Sequence, residues 1–180
     1  MPVTDVDRNI NALTLTITAE FDADAERLWE LWADPRQLER WWSPPSHLST
    51  FVEHELTAGA RTTYFMTGPD GEKHHGCWRI EEVEPPHRLH IKDDEVDDEG
   101  KPEDGGPTAM TVTIAEANGT ATMSIQTHFA DRESMEQMIE MGMEQGMTET
   151  LNQVDPLLGA ARARRQRWPD PGTTGVPMRG

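Results

Sequence analysis

Apolar and polar residues alternate near the start of the chain. Between residues 12 and 19, Leu13, Leu15 and Ile17 alternate with threonines, and this period of two predicts a half-buried β-strand. Residues 1–9 are polar and have no such period. They predict a short lead without regular structure.

Two short helices are predicted directly after this strand. Asp22 or Asp24 can cap the first helix, and Pro35, which follows Asp34, suits the first turn of the second. The second helix ends at residues 44–45, which are both proline. The two helices carry four of the six tryptophans, namely Trp29, Trp32, Trp41 and Trp42.

The middle of the chain predicts antiparallel β-structure. Six more segments have the alternation and the residue types of strands. They are residues 48–56, 61–67, 74–83, 88–93, 108–115 and 120–129. Asn118-Gly119, between the last two, is the clearest hairpin signal. Residues 93–106 hold eight acids and one lysine and are predicted to be a solvated loop.

After Asp131 the period becomes helical, and the apolar residues from Met135 to Leu158 fall on one stripe, which predicts one long amphipathic helix. The order of elements therefore predicts an α+β helix-grip fold. In this fold a curved seven-stranded antiparallel sheet wraps around a long C-terminal helix, and two short helices lie between strands 1 and 2. A half-closed sheet of this kind can leave a cavity against the helix.

Two segments resemble a known family. Residues 29–45, Trp-Glu-Leu-Trp-Ala-Asp-Pro-Arg-Gln-Leu-Glu-Arg-Trp-Trp-Ser-Pro-Pro, resemble the helix-turn-helix opening of the START/Bet v 1-like (SRPBCC) superfamily. More narrowly, they resemble the group related to the C-terminal domain of the activator of Hsp90 ATPase. Residues 75–89, His-Gly-Cys-Trp-Arg-Ile-Glu-Glu-Val-Glu-Pro-Pro-His-Arg-Leu, are similar to that group's Gly-x-x-x-x-Ile-x-Glu-Val-x-Pro-Pro-x-Arg-Leu strand pair.

The resemblance covers about residues 11–159 and implies the same helix-grip fold. The family contains lipid and hormone binders, aromatic polyketide cyclases and co-chaperone domains, so it implies several functions rather than one. The sequence departs from the family at Met147, where members often carry a tryptophan after the glycine. Methionine is more flexible, so we expect a softer pocket wall there.

Charge divides the chain. The formal net charge is −17, and five of the sixteen basic residues lie after Gly159. We therefore divide the chain into an N-terminal lead (1–10), a START/Bet v 1-like domain (11–159) and a basic, Pro/Gly-rich tail (160–180). The strongly acidic domain disfavours binding to nucleic acid and to anionic membrane surfaces. Four alternatives remain for the tail: it binds an acidic partner, binds a nucleic acid strand, extends the last helix, or lies on the domain's own acidic surface.

The single cysteine and the first residues bear on the compartment. Cys77 cannot form an internal disulfide or complete a structural zinc site by itself. No secretory signal and no run of about 18 apolar residues is visible. These observations predict a cytoplasmic protein that does not enter the membrane.

No metal site, cofactor or catalytic constellation is predicted. Adjacent His74 and His75 would point to opposite faces of a strand, as would Glu53 and His54, so they cannot converge on one ion. Nucleotide-binding and nucleophile motifs are absent from the sequence. Acid–base chemistry would need an inward titratable group, and the candidates are Tyr64, His54 and, if a bulge intervenes, Glu82.

Strand parity and the helical stripe select the residues expected to line a cavity. Cys77 should face outward, and only one of Trp41 and Trp42 can border the cavity. The candidates are Trp41, Trp42, Tyr64, Met66, Trp78, Ile80, Met110, Val112, Met123, Ile125, Met138, Ile139, Gly142, Met143 and Met147. The alternative for each is ordinary packing in the core.

The sequence therefore favours a protein that binds a small hydrophobic or amphipathic molecule between the C-terminal helix and the sheet. Flexible methionines suit an adaptable apolar surface. Two alternatives remain open, a co-chaperone-like module with a basic protein partner and a cyclase-like enzyme. Met141 lies off the stripe, and with the exposed sheet edges it leaves room for a homodimer.

Overall fold

The computed structural model describes residues 2–158, apart from 98, 100, 104, 105 and 107. Its strands are β1 Val3–Asn9, β2 Thr14–Phe21, β3 Leu48–Glu53, β4 Arg61–Thr67, β5 Lys73–Glu84, β6 Arg88–Val96, β7 Pro102–Glu103, β8 Thr108–Ala117 and β9 Thr120–Phe129. Its helices are α1 Ala25–Ala33, α2 Pro35–Leu38, α3 Arg132–Glu140 and α4 Met143–Asn152. Residues 154–158 add a further helical stretch.

One antiparallel sheet organises these elements. Its order is β1-β2-β9-β8-β6-β5-β4-β3, and β7 pairs with β6 beside this path. The core lies between the inner face of the sheet and the helices, which contribute Leu28, Trp32, Leu38, Met135 and Leu151. The predicted α+β helix-grip fold is confirmed, although the described sheet has nine strands instead of seven.

The predicted caps of α1 and α2 and the turn of the last hairpin are confirmed. The predicted extent of the second helix is wrong, because α2 ends at Leu38 and both Trp41 and Trp42 lie beyond it. Asp24 caps α1 by accepting a hydrogen bond from the Arg27 amide at 2.8 Å. Asp34 caps α2, and Pro35 occupies its first position. Asn118 and Gly119 both have positive φ, at 54° and 80°, as a two-residue hairpin turn requires.

The prediction of an unstructured N-terminal lead is wrong for residues 3–9. They form β1, which pairs antiparallel with β2 from Val3 opposite Ala19 to Asn9 opposite Thr14. β1 is an edge strand, and six of its seven residues are exposed. An edge strand with both faces in water needs no apolar alternation, and its charges discourage pairing with other chains. The polar pattern therefore concealed the strand.

The predicted C-terminal helix is interrupted. Gly142 has φ 91° and stands between α3 and α4 as the N-cap of α4. This left-handed conformation is easy for glycine and strained for residues with a Cβ. The interruption separates the first part of the apolar stripe, on α3, from Met143 and Met147 on α4.

Two glycines in this region give a matched pair of substitutions. A Cβ built on Gly142 or on Gly146 meets no heavy atom within 4 Å, so the two alanine variants differ in backbone conformation and not in space. Gly146→Ala lies inside α4 and should raise the free energy of unfolding by about 0.5–1 kcal/mol. Gly142→Ala should lower it by about 1–2 kcal/mol, because φ is positive there. Urea unfolding of both variants checks this, and equal effects would contradict it.

The acidic segment 93–106 is not a loop throughout. β6 continues to Val96, and β7 pairs with its end through Glu95 opposite Glu103. The alternation of Leu89 and Ile91 extends to residue 93, so Asp93 follows them onto the inner face. The high acid content of this segment concealed the continuing strand.

No helix in the described part of the chain is long and apolar enough to cross a membrane. The predicted basic tail, residues 160–180, lies outside the described residues.

Candidate functional site

A pocket of about 140 Å³ lies between α4 and the inner face of the sheet. Strands β4, β5, β6, β8 and β9 contribute to it, and α4 closes it with two methionines. Its lining consists of Trp42, Tyr64, Trp78, Asp93, Thr108, Met110, Thr127, Met143 and Met147. The volume is close to that of an engineered protein cavity that holds a benzene molecule. The pocket therefore has room for about one ring.

Three aromatic side chains form one wall of this pocket. Trp42 and Trp78 pack edge to face with ring centroids 4.9 Å apart, and Tyr64 lies 5.2 Å from Trp78. Tyr64 pairs across the strands with Gly76. A Cβ on Gly76 would lie 2.3 Å from Cζ of Tyr64, so the ring occupies space that only glycine leaves free. The absence of a side chain at Gly76 therefore allows the Tyr64 ring to lie in the pocket wall.

Trp41 and Trp42 have different environments, as expected for neighbours that cannot both border a cavity. Trp41 is fully buried, and its indole N–H donates to the Leu31 carbonyl at 3.0 Å. Trp42 lines the pocket. Its indole nitrogen is buried and faces the Tyr64 hydroxyl, whose pKa the indole N–H acts to lower. Trp42 therefore directs a donor toward Tyr64 at the pocket wall.

Asp93 is the acidic group of the pocket lining. It pairs with Trp78 across β5 and β6, and its carboxylate accepts a hydrogen bond from the Thr108 hydroxyl. Burial raises the pKa of Asp93 to about 6, because an apolar environment disfavours the charged form. The pKa of the Tyr64 hydroxyl is also raised, first by burial and then by the charge of Asp93.

This arrangement suits an amphipathic molecule. Met110, Met143 and Met147 offer flexible apolar surface. Asp93, which is ionised above pH about 6, offers an acceptor that Thr108 satisfies only in part. A buried carboxylate is unfavourable unless it is paired or hydrogen-bonded. A ligand with a cationic or strongly donating end would give this carboxylate a second partner beside Thr108.

The structure brings together six of the fifteen predicted lining residues. They are Trp42, Tyr64, Trp78, Met110, Met143 and Met147. Ile80, Val112, Met123 and Ile125 lie on the inner face as predicted, but they are almost fully buried in the core, as Trp41 is. Met66, Met138 and Ile139 are partly buried away from the described lining, and Gly142 is exposed at the helix break.

Three lining residues were missed by the sequence analysis, namely Asp93, Thr108 and Thr127. Parity identifies all three in retrospect. Asp93 continues the inward series of Leu89 and Ile91, while Thr108 and Thr127 share the faces of Met110 and Ile125. The sequence feature that could have identified them is a polar residue at a strand position whose side chain points inward.

His54 and Glu82 are not brought into the described lining, whereas Tyr64 is. Both nitrogens of His54 are engaged, Nδ1 with the Thr62 hydroxyl at 2.8 Å and Nε2 with the Trp32 carbonyl at 2.6 Å. Burial lowers the pKa of His54. A bulge does occur between Ile80 and Glu82, but Glu82 is exposed and pairs with Arg88. Neither residue is placed to transfer a proton inside the pocket.

Cys77 lies on the outer face, as parity predicts, but it is buried rather than exposed. The nearby charges belong to Arg61, Asp94, Arg79 and Asp93, and Arg79 contacts Asp94 at 2.7 Å. Burial raises the pKa of the Cys77 thiol to about 11. The thiol is therefore protonated at neutral pH, which makes it a poor nucleophile.

A second concavity of about 400 Å³ lies next to the pocket. Asp93 and Thr108 line both, while Arg79, Lys92 and His128 belong to the second alone. This concavity is open to solvent, and an open surface desolvates a small molecule less than an enclosed one. The pocket under α4 is therefore the better candidate for a binding site.

A curved antiparallel sheet with a small pocket beneath its last helix defines a class of domain. It is the helix-grip class, whose members serve as ligand-binding or interaction modules. The family model described as Activator of Hsp90 ATPase homolog 1-like protein matches residues 22–159. The chain belongs to this family, as the resemblance in residues 29–45 and 75–89 implied.

Solved structures of similar proteins have the same fold. The crystal structure of protein Ms6760 from Mycobacterium smegmatis is 44% identical, covers 89% of this chain and 99% of its own, and has a TM-score of 0.80. A solution structure from Arthrobacter aurescens is 45% identical, covers 88% and 92%, and has a TM-score of 0.82. An AHSA1 protein from Silicibacter pomeroyi is 20% identical over 82% of this chain and 99% of its own, with a TM-score of 0.66, and shares the fold. The comparison with curated proteins finds no match.

Proposed function

We propose that this protein binds a small amphipathic molecule, about one ring in size, in the pocket between α4 and the sheet. The observation that carries the proposal is a buried carboxylate, Asp93, in a pocket otherwise lined by methionine, aromatic and threonine side chains. The apolar part of the ligand lies against Met143 and Met147. Its cationic or hydrogen-bond-donating end faces Asp93.

The size of the pocket limits the affinity of a single-ring ligand. A ligand of about eight non-hydrogen atoms that gains about 0.5–0.85 kcal/mol per atom binds with a Kd between about 10 μM and 1 mM. Larger natural ligands can extend past Asp93 and Thr108 into the neighbouring concavity, since both residues line both spaces.

A series of matched probes tests the proposal. Benzylamine, benzyl alcohol and benzoate have similar size but carry a positive, a neutral and a negative end. Titrations at pH 7.5, followed by tryptophan fluorescence and ligand-observed NMR, should rank benzylamine first and benzoate last. Repulsion and desolvation exclude benzoate from a pocket that already holds a buried carboxylate.

Asp93→Asn is the matched variant for this series. It keeps the side-chain shape and removes the charge, so benzylamine should bind about 10- to 100-fold more weakly while benzyl alcohol changes little. Asp5→Asn, on exposed β1, is the control and should leave all three affinities unchanged. Failure of all three probes to bind would contradict the proposed pocket, and equal affinities would contradict the role of Asp93.

Native mass spectrometry of protein purified from its own host gives an independent test. A retained small molecule, seen as a mass above that of the denatured chain, supports the proposal and identifies the ligand class. A chain that retains a protein subunit instead supports an interaction module.

An interaction module is the second candidate function. Membership of a family described by its likeness to an Hsp90 activator favours it, and the strongly acidic composition suits a basic partner surface. Binding to purified Hsp90 at low and high salt tests this candidate. The expected complex weakens as salt rises, and absence of binding at low salt would contradict it.

A further inference from the structure

A group of three metal-ligating side chains lies at one corner of the sheet, apart from the pocket. His47 directly precedes β3, Glu72 lies in the turn between β4 and β5, and His74 is the second residue of β5. One ligating atom from each residue lies within 4.8 Å of the other two. The described pocket lining includes none of them.

Strand pairing explains why residues so far apart in sequence meet. Leu48, the neighbour of His47, pairs with Thr67, and Met66 pairs with His74. The start of β3 and the start of β5 therefore flank the end of β4. Glu72 reaches the same corner from the turn that joins β4 to β5. Adjacent residues such as His74 and His75 diverge, but these three converge.

Each side of the group has a contact that positions it. The Ser46 hydroxyl lies 2.8 Å from Nδ1 of His47, and the Asp70 amide donates to Oε2 of Glu72 at 3.0 Å. A Cβ on Gly68 would lie 1.8 Å from Oε1 of Glu72. The glycine therefore leaves the space that the carboxylate occupies. Outer contacts of this kind orient metal ligands in known sites.

The potential ligand atoms lie somewhat farther apart than they would around a bound ion. Nε2 of His74 is 3.9 Å from Oε1 of Glu72, and the rings of His47 and His74 are 5.9 Å apart between centroids. Ligands around a tetrahedral ion with bonds of about 2.0–2.1 Å lie roughly 3.4 Å from one another. His74 is exposed and the structure gives its side chain no hydrogen bond among the described residues, so its ring can turn toward the Oε1 atom of Glu72.

We propose that His47, Glu72 and His74 form a binding site for a divalent transition metal, with Zn²⁺ as the ion used to test it. Two imidazoles and one carboxylate are a donor set that suits Zn²⁺, Co²⁺ and Ni²⁺. Mg²⁺ and Ca²⁺ prefer six or more oxygen ligands, and this group offers one carboxylate. Water completes the coordination on the exposed side.

Metal binding would join two separate segments of the chain. The Ser43 hydroxyl donates to the His47 carbonyl at 2.9 Å, so His47 belongs to the segment that follows Trp42. A bound ion would tie this segment to the β4–β5 turn. Because the ion binds the folded state, the Tm should rise by roughly 5–10 °C at a hundredfold excess of Zn²⁺ over its Kd.

Isothermal titration of the full chain, freed of metal and without an affinity tag, tests the site. We expect one equivalent of Zn²⁺ to bind and Mg²⁺ at the same concentration to give no comparable heat. Co²⁺ should give visible d–d absorption of the intensity typical of four-coordinate sites. Absence of Zn²⁺ binding, or equal binding of Mg²⁺, would overturn the proposal.

His74→Ala and His75→Ala form the matched pair. The two residues are adjacent and exposed, but only His74 belongs to the group, whereas the ring of His75 lies against Phe65. His74→Ala should weaken Zn²⁺ binding at least about tenfold and remove the Co²⁺ spectrum, while His75→Ala should retain both. Equal losses in the two variants would show diffuse binding to surface histidines and would refute the site.

Discussion

Asp93→Asn should stabilise the protein by as much as about 3 kcal/mol at pH 7.5. Burial raises the pKa of Asp93 from 3.8 to about 6, and each unit of difference between the folded and unfolded states corresponds to about 1.4 kcal/mol. The folded state therefore holds a proton on Asp93 more tightly than the unfolded state does. Asparagine retains an oxygen that can accept the Thr108 hydrogen bond, and it carries no charge.

The sign of this effect fixes its pH dependence. Protonated Asp93 favours the folded state relative to ionised Asp93. This stabilisation is fully present below pH about 3.8 and is lost as the pH rises through about 6. The difference between Asp93→Asn and the native chain should therefore grow from pH 4 to pH 6.5 and remain constant above it. Urea unfolding at five pH values measures this difference. Asp5→Asn is the control, and a constant difference for Asp93→Asn across the range would contradict the buried carboxylate.

The expected gain in stability bears directly on function. Evolution tolerates an unfavourable buried charge most readily where the charge serves a ligand or a reaction. The same substitution that stabilises the fold is expected to weaken benzylamine binding. A stabilised variant with unchanged ligand preference would separate the two effects and would leave Asp93 without a role in binding.

Gly76→Ala is the substitution expected to damage the pocket wall most. The new Cβ would lie 2.3 Å from Cζ and 2.5 Å from the hydroxyl of Tyr64, so the ring must leave its position beside Trp78. Overpacking of this kind lowers the free energy of unfolding by about 1–3 kcal/mol. Displacement of the ring should also change the affinity for the one-ring probes.

A double-mutant cycle with Tyr64→Ala distinguishes this clash from a general intolerance of alanine in β5. Tyr64→Ala removes the ring, so Gly76→Ala should cost far less in that background. We expect a coupling of at least about 1 kcal/mol between the two positions, measured by urea unfolding. Additive effects would show that the Tyr64 ring does not depend on Gly76.

The predictable part of the fold is the part in which local chemistry and burial agree. The alternation of Leu15 and Ile17, the caps at Asp24 and Asp34 and the Asn118-Gly119 turn each specify one conformation, and the structure has all of them. β1 could not be identified in this way, because an exposed edge strand has no apolar face and therefore no alternation of apolar and polar residues. The break at Gly142 could not be identified either, because the apolar stripe continues across it in the sequence.

The candidate site was predictable on its apolar side and not on its polar side. Methionine and tryptophan at inward positions identified Trp42, Trp78, Met143 and Met147 as part of one lining. Asp93 was missed because its neighbours are acidic, which made an exposed loop the simpler interpretation. The metal-ligating group of His47, Glu72 and His74 depends on strand register, and the sequence alone does not determine that register.

The most direct measurement of ligand binding uses protein labelled with ¹³C at the methionine methyl groups and titrated with benzylamine at pH 7.5. Met110, Met143 and Met147 line the pocket, whereas Met141 is 80% exposed and points away from the core. We expect saturable shifts of the three pocket methyl groups and no shift of Met141. Shifts confined to Met141, or no saturable shift at any methionine, would contradict a ligand site beneath α4.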